Sequence, residues 1–197
     1  MRKLIFGITT ILLGSLLLSF CNQKSNYKGK VQKELAKGIR NDSLFLNIHF
    51  GMKKKDFYTE CWKLNKQKLI QQGPGNLSVE YALDTGLRSK AFMRFYPAFD
   101  EEKIYEMPVA FNYEAWSPWN KELATDTLLL DVRDMLSRWY DAEFEKIQNP
   151  EGSKEAFVNI NGNRRIMIFR YDHVTVKALF TDLVAKNEIL KRNKKES

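Results

Sequence analysis

Histidine and cysteine are scarce in this chain: His49 and His173 are its two histidines, Cys21 and Cys61 its two cysteines. So few cysteines exclude a disulfide-dense scaffold, and two distant histidines leave little to build a metal centre from. Ten glycines and five prolines are too few for a low-complexity chain. The spacings HExxH, CxxC, GxGxxG and GxSxG are missing, as are a P-loop and an EF-hand loop. The usual signatures of zinc proteases, thiol oxidoreductases, nucleotide enzymes, serine hydrolases and calcium sensors are therefore lacking. No cofactor is implied, and the chain reads as non-enzymatic. What it does have is 44% apolar residues and 13% aromatics, the make-up of a globular protein.

One long stretch is free of charge. Arg2 and Lys3 precede the apolar run Leu4–Phe20, Cys21 closes it, and polar residues 22–26 follow. A basic start, an apolar middle and a short closing region make a secretory signal. Leu18-Ser19-Phe20-Cys21 resembles the lipobox of bacterial lipoproteins, with Phe20 where that family has a small residue. The resemblance implies that residues 1–20 are removed. Cys21 would then start the mature chain, with a diacylglycerol on its sulfur and a further acyl chain, such as palmitate, on its amine. Two or more chains hold a protein stably on a bilayer. The expected location is the cell envelope, on the inner or outer membrane, facing the periplasm or the exterior. A plain cleaved signal and an uncleaved membrane anchor stay open as alternatives, because seventeen uncharged residues sit at the short edge of a bilayer span. All three readings place the folded part outside the cytoplasm.

The 177 residues after the signal suffice for one sizeable core or two small ones. Formal charge is +8, or +6 once Arg2 and Lys3 leave. The excess gathers at two places. Residues 21–42 form a lysine-rich tether containing Lys24, Lys28, Lys30, Lys33, Lys37 and Arg40, with a short helix over Val31–Lys37. Residues 186–197 form a basic tail with Lys186, Lys191, Arg192, Lys194 and Lys195. Such residues beside an anchor can rest on anionic headgroups or simply be solvated. An exported protein has little occasion to meet nucleic acid, so none is expected as a partner.

Residues 43–185 read as a single α+β domain. Leu44, Leu46 and Ile48 alternate as a short extended segment. Lys53–Lys68 has an apolar stripe of Phe57, Cys61 and Leu64 at helical spacing. Val79–Leu83, Ala91–Phe95 and Tyr105–Tyr113 alternate as strands. Pro108 in the last of these suggests an edge or a bulge. Asp100–Lys103 reads as a hairpin turn. A second helix spans Thr125–Tyr140, with Leu128, Val132, Met135, Leu136 and Trp139 inward and Thr125 or Asp126 as cap. Strands follow at Phe144–Ile147, Ala156–Ile160, Arg165–Tyr171 and Val174–Phe180, with Asn161-Gly162-Asn163 as a tight turn. Residues 51–113 and 124–183 thus share one order, a helix and then strands. The expected fold is a mostly antiparallel sheet with two main helices on one face. That order resembles the helix-plus-meander modules of outer-membrane assembly lipoproteins and the tandem β-lactamase inhibitor proteins. The resemblance is architectural, and it implies protein binding without chemistry.

The candidate binding residues follow from exposure and shape. Tyr113, Trp116 and Trp119 lie in or next to the loop Trp116-Ser117-Pro118-Trp119, where flat aromatic faces can stack on a sugar, anchor a protein partner or cap the sheet. Arg164 and Arg165 follow a hairpin tip, suited to an anion or a partner contact. Cys61 lies on the apolar stripe of its helix, which favours packing over catalysis. The expected partners are an envelope protein, or alternatively a glycan or a lipid; inhibition of an enzyme is a further reading.

Overall fold

The computed structural model of the protein describes residues 27–148 and 155–196. The signal-like run and Cys21 lie outside the described residues. Among the described residues there are four α-helices: α1 (residues 27–36), α2 (Lys54–Lys66), α3 (Thr125–Tyr140) and α4 (Leu183–Glu196). The strands are β1 (Ile70–Gln72), β2 (Val79–Leu83), β3 (Ala91–Phe95), β4 (Ala98–Asp100), β5 (Lys103–Tyr113), β6 (Glu145–Gln148), β7 (Glu155–Asn161), β8 (Arg164–Arg170) and β9 (Val176–Asp182). They form one sheet in the order β1-β2-β3-β5-β9-β8-β7-β6, and β4 pairs with the start of β5. Every pairing is antiparallel. The fold is α+β. Each half runs from a helix through an edge strand towards the centre, where β5 and β9 meet.

Alternation along the strands gives the sheet two different faces. The first buries Met93 and Phe95 of β3, Val109 and Phe111 of β5, Ile166 and Ile168 of β8, and Ala178 and Phe180 of β9. Phe57 of α2 and Leu128, Val132, Met135 and Leu136 of α3 close over them. Each of these side chains larger than alanine stabilises the fold by about 1.5–3 kcal/mol. The second face has a smaller core of Val158, Ile160 and Leu183, against which Tyr27, Val31 and Leu35 of α1 pack. The segment expected as a tether with a short helix thus contains a helix docked on the sheet. Residues 186–196 of the basic tail lie in α4.

The hairpin tips explain the register. Glu101 and Glu102 both have positive φ, 45° and 61°, between β4 and β5. Gly162 turns β7 into β8 at φ 58°; a Cβ there would stand 2.3 Å from the carbonyl oxygen of Ile39, so only glycine fits beneath the strap that follows α1. Of the edge or bulge expected at Pro108, the edge is not found, since its strand is central, but the ladder beside it is irregular. On one side β3 ends its pairing at Phe95↔Val109 and β4 begins at Ala98↔Glu106, so the proline faces a gap in the ladder. A register shift between Ala98 and Phe99 accompanies that gap. Across it β5 loses its alternation: Ile104 and Met107 are buried while Tyr105 and Glu106 between them are half-buried, so Tyr105 does not join Met107 in the core.

Four further expectations are corrected. Residues 44–48 form a tight turn in which Leu46 and Asn47 have positive φ, because Ile48 N–H folds back to Phe45 O. The short strands β1 and β4 add to the strands expected, since three residues carry too little alternation to show. Neither Thr125 nor Asp126 caps α3. Its N-cap is Ala124, because Thr125 Oγ1 donates to His173 O and Asp126 pairs with Arg170. Trp139 is 44% exposed rather than inward, since Tyr140 beside it takes the core position against Phe180.

Candidate functional site

The end of β5 leads into the aromatic loop, and its last residue is a strut rather than a contact. Tyr113 is buried, and its hydroxyl donates to Asp131 Oδ2 of α3 at 2.6 Å. Arg88 grips the same carboxylate through Nη2 at 2.9 Å and its backbone N–H at 3.0 Å. Burial raises the Asp131 carboxyl, but the Arg88 and Tyr113 hydrogen bonds outweigh it and hold the group below its usual range. The Tyr113 hydroxyl moves up, first by burial and then by that carboxylate.

Beyond the strut the chain opens outward. Trp116 packs one side against the main core. Trp119 is 83% exposed, among the most exposed large apolar side chains of the described residues. Asn120 Oδ1 accepts the backbone N–H of Glu122, which fixes a single 3-10 turn, Lys121–Leu123, ahead of α3. Facing this loop is the β8–β9 turn. There Asp172 Oδ1 accepts the N–H groups of Val174 and Thr175, both at 2.8 Å. The Val174 bond first, against some burial, lowers the Asp172 carboxyl.

Between the loop, the start of α3 and the β8–β9 turn lies a cavity of about 510 Å³. Trp116 and Pro118 give it apolar walls; Asn120, Lys121, Asp126, Arg170, Asp172 and His173 give it a polar rim. The charges are close to balanced, with Arg170 paired to Asp126. Such a lining can stack a flat apolar surface and offer hydrogen bonds around it. Sequence reasoning found Trp116 and Trp119 but missed Arg170 and Asp172. The polar run Tyr171-Asp172-His173 between two strands was the available signal, yet nothing local shows that it faces a loop fifty residues away.

The arginines after the hairpin tip are held internally. Arg164 is buried, with Nη1 donating to Ser43 O at 2.8 Å and its guanidinium 4.4 Å from the Tyr140 ring centre. Arg165 donates to Tyr27 at 3.1 Å and to Thr181 at 3.0 Å, tying α1 to the sheet. The structure therefore does not bring them together with the aromatic loop.

A second, open groove of about 330 Å³ lies on the first face, lined by Leu44, Phe45, Leu46, Tyr81, Met93, Trp139 and Tyr140. Cys61 lines neither space. Burial, and then the charge of Glu60, push its thiol up to about 11, so it is neutral at physiological pH and a poor nucleophile. His49 Nδ1 lies against its neighbour's carbonyl, Phe50 O, at 2.8 Å, and His173 is on the cavity rim. Asp100 and Glu101 pair with Arg192 of α4, and Glu102 with Lys54, as structural contacts. Among the described residues, no group of three or more His, Cys, Asp or Glu is placed to hold a metal ion. No described helix is long and apolar enough to cross a membrane.

Neither a family model, nor a curated protein, nor a solved structure matches the chain.

Proposed function

We propose that the protein is a lipid-anchored, non-enzymatic binding module of the cell envelope, tethered through acyl chains on Cys21, which engages an envelope protein through its aromatic loop. The observation that carries the binding site is Trp119, 83% exposed beside a cavity walled by Trp116. A large aromatic held out on a braced loop is the residue type that dominates protein interfaces. The Tyr113–Asp131–Arg88 strut braces that loop from within, so its presentation costs little ordering on binding. The raised Cys61 thiol supports the non-enzymatic reading. The lipobox-like Leu18-Ser19-Phe20-Cys21 supports the anchor.

The test is capture from solubilised envelope with a tag after Ser197, comparing the unaltered protein with Trp119→Ala. One partner retained by the first and lost by the second is expected. Recovery of no specific partner, or the same partner in both, refutes the aromatic loop as the contact. For the anchor, Cys21→Ser should lose the mass of the acyl chains; an unchanged mass refutes it.

The balanced polar rim favours a second reading, a neutral glycan stacked on Trp116 and bonded by Arg170, Asp126 and Asp172. Retention of the protein on purified envelope polysaccharide, lost in Trp116→Ala, distinguishes it from a protein partner.

A further inference from the structure

We infer that the outer sides of α1 and α4 form one membrane-facing surface, which lies on an anionic bilayer and turns the aromatic cavity away from it. The inference rests on the anchor at Cys21 proposed above.

Three observations lead there. The first is length. From Cys21 to Tyr27 is six residues, which covalent geometry limits to about 22 Å even when fully extended. A domain of about 160 residues has a radius of gyration near 15 Å and is roughly 40 Å across. Tyr27 is fixed on the sheet's second face by Arg165 and the Val158–Ile160 core. So short a link cannot pass round to the far side, and the second face is the one held at the membrane.

The second is placement. Leu183 at the start of α4 packs in the same small core as α1. Further along α4, Lys186 pairs with Glu106 and Arg192 with Asp100. Glu106 stands opposite Thr181, which shares the second face with Arg165. Both helices therefore lie on the second face, and their outer sides point the same way. The cavity lies elsewhere: α3, which supplies part of its rim, is on the first face. Along β9 the cavity sits at the Val176 end, whereas α4 leaves from Asp182; six residues of strand separate them by about 20 Å.

The third is charge. The inward cations are already paired, Lys30 with Glu145, Lys186 with Glu106 and Arg192 with Asp100. Lys28, Lys33, Lys191, Lys194 and Lys195 are exposed and have no ion pair among the described residues. Leu190, 49% exposed, stands beside Lys191 and offers an apolar side chain to the headgroup layer. Each lysine near an anionic surface strengthens association about fivefold, and that effect is confined within a Debye length. The six-residue link from Cys21 lets the domain settle until these charges come within that range once the anchor is inserted.

The experiment is lysine footprinting by mass spectrometry on the mature full-length protein, reconstituted in neutral phosphatidylcholine vesicles and in vesicles with phosphatidylglycerol. Intact mass is read first. On the anionic vesicles, labelling of Lys28, Lys33, Lys191, Lys194 and Lys195 should slow about fivefold or more relative to the neutral ones. Lys55 on α2 and Lys121 on the cavity rim should stay within twofold. An acylated protein labelled evenly, or protected at Lys55 or Lys121 instead, overturns the orientation and leaves the anchor standing. A chain without acyl mass overturns the anchor itself, and the orientation with it.

Discussion

Gly162→Ala tests how the N-terminal helix is held, and its cost can be worked from the structure. Residue 162 has φ 58°, a left-handed conformation that costs alanine about 1 kcal/mol. The added Cβ would stand 2.3 Å from Ile39 O and 3.0 Å from its carbonyl carbon. Both atoms are backbone, so the strap itself must move. Moving it weakens Asn163 N–H→Ile39 O at 3.2 Å and Asn41 N–H→Asn163 Oδ1 at 2.6 Å, each worth about 1 kcal/mol. The sum is about 2–4 kcal/mol, or a fall in Tm of roughly 5–15 °C for a domain of this size. Gly38→Ala is the control. It has φ 66° in the same strap, but nothing lies within 4 Å of its Cβ position, so it should lose about 1 kcal/mol. Urea and thermal unfolding by circular dichroism compare the two. Equal losses, within 0.5 kcal/mol, refute the close approach of the strap to the hairpin.

Other expectations follow from the same geometry. Asp131→Ala leaves the buried Tyr113 hydroxyl unpaired and should cost about 1–3 kcal/mol, with little more from solvent-screened Arg88. Because the folded carboxyl titrates below its usual value, the Asp131 contribution is present above about pH 4 and fades as pH falls through the folded pKa; a penalty that grows in acid refutes the assignment. Phe180→Ala removes a fully buried ring packed on Phe45 and Tyr140 and should cost about 3–5 kcal/mol by urea unfolding. Trp119→Ala should leave stability within about 0.5 kcal/mol while abolishing partner capture; a large loss of stability would make Trp119 part of the core. Alkylation of Cys61 should stay slow at neutral pH and rise towards pH 11, and a midpoint near pH 8 would refute its burial.

Much of the architecture was legible because it rests on local periodicity. The span Thr125–Tyr140 and its inward residues Leu128, Val132, Met135 and Leu136 follow from a 3.6-residue repeat. The faces of β3 and β9 follow from a repeat of two. The hairpins at Asp100–Lys103 and Asn161–Asn163 follow from turn chemistry. These features depend on neighbours in the chain, so the chain displays them.

The order of residues alone also set the signal-like run ending at Cys21, the scarcity of histidine and cysteine, and the two basic clusters. Tertiary structure decided where those features sit. It buried Arg164 and half-buried Arg165 under contacts with Ser43, Tyr27 and Thr181, partners more than a hundred residues away in two cases. It gathered Trp116, Asp126, Arg170 and His173 around one cavity and laid both basic helices on the same face of the sheet. Such meetings depend on strand order, with β5 and β9 paired at the centre, and strand order is fixed by how whole surfaces bury one another. No local pattern of residues encodes it.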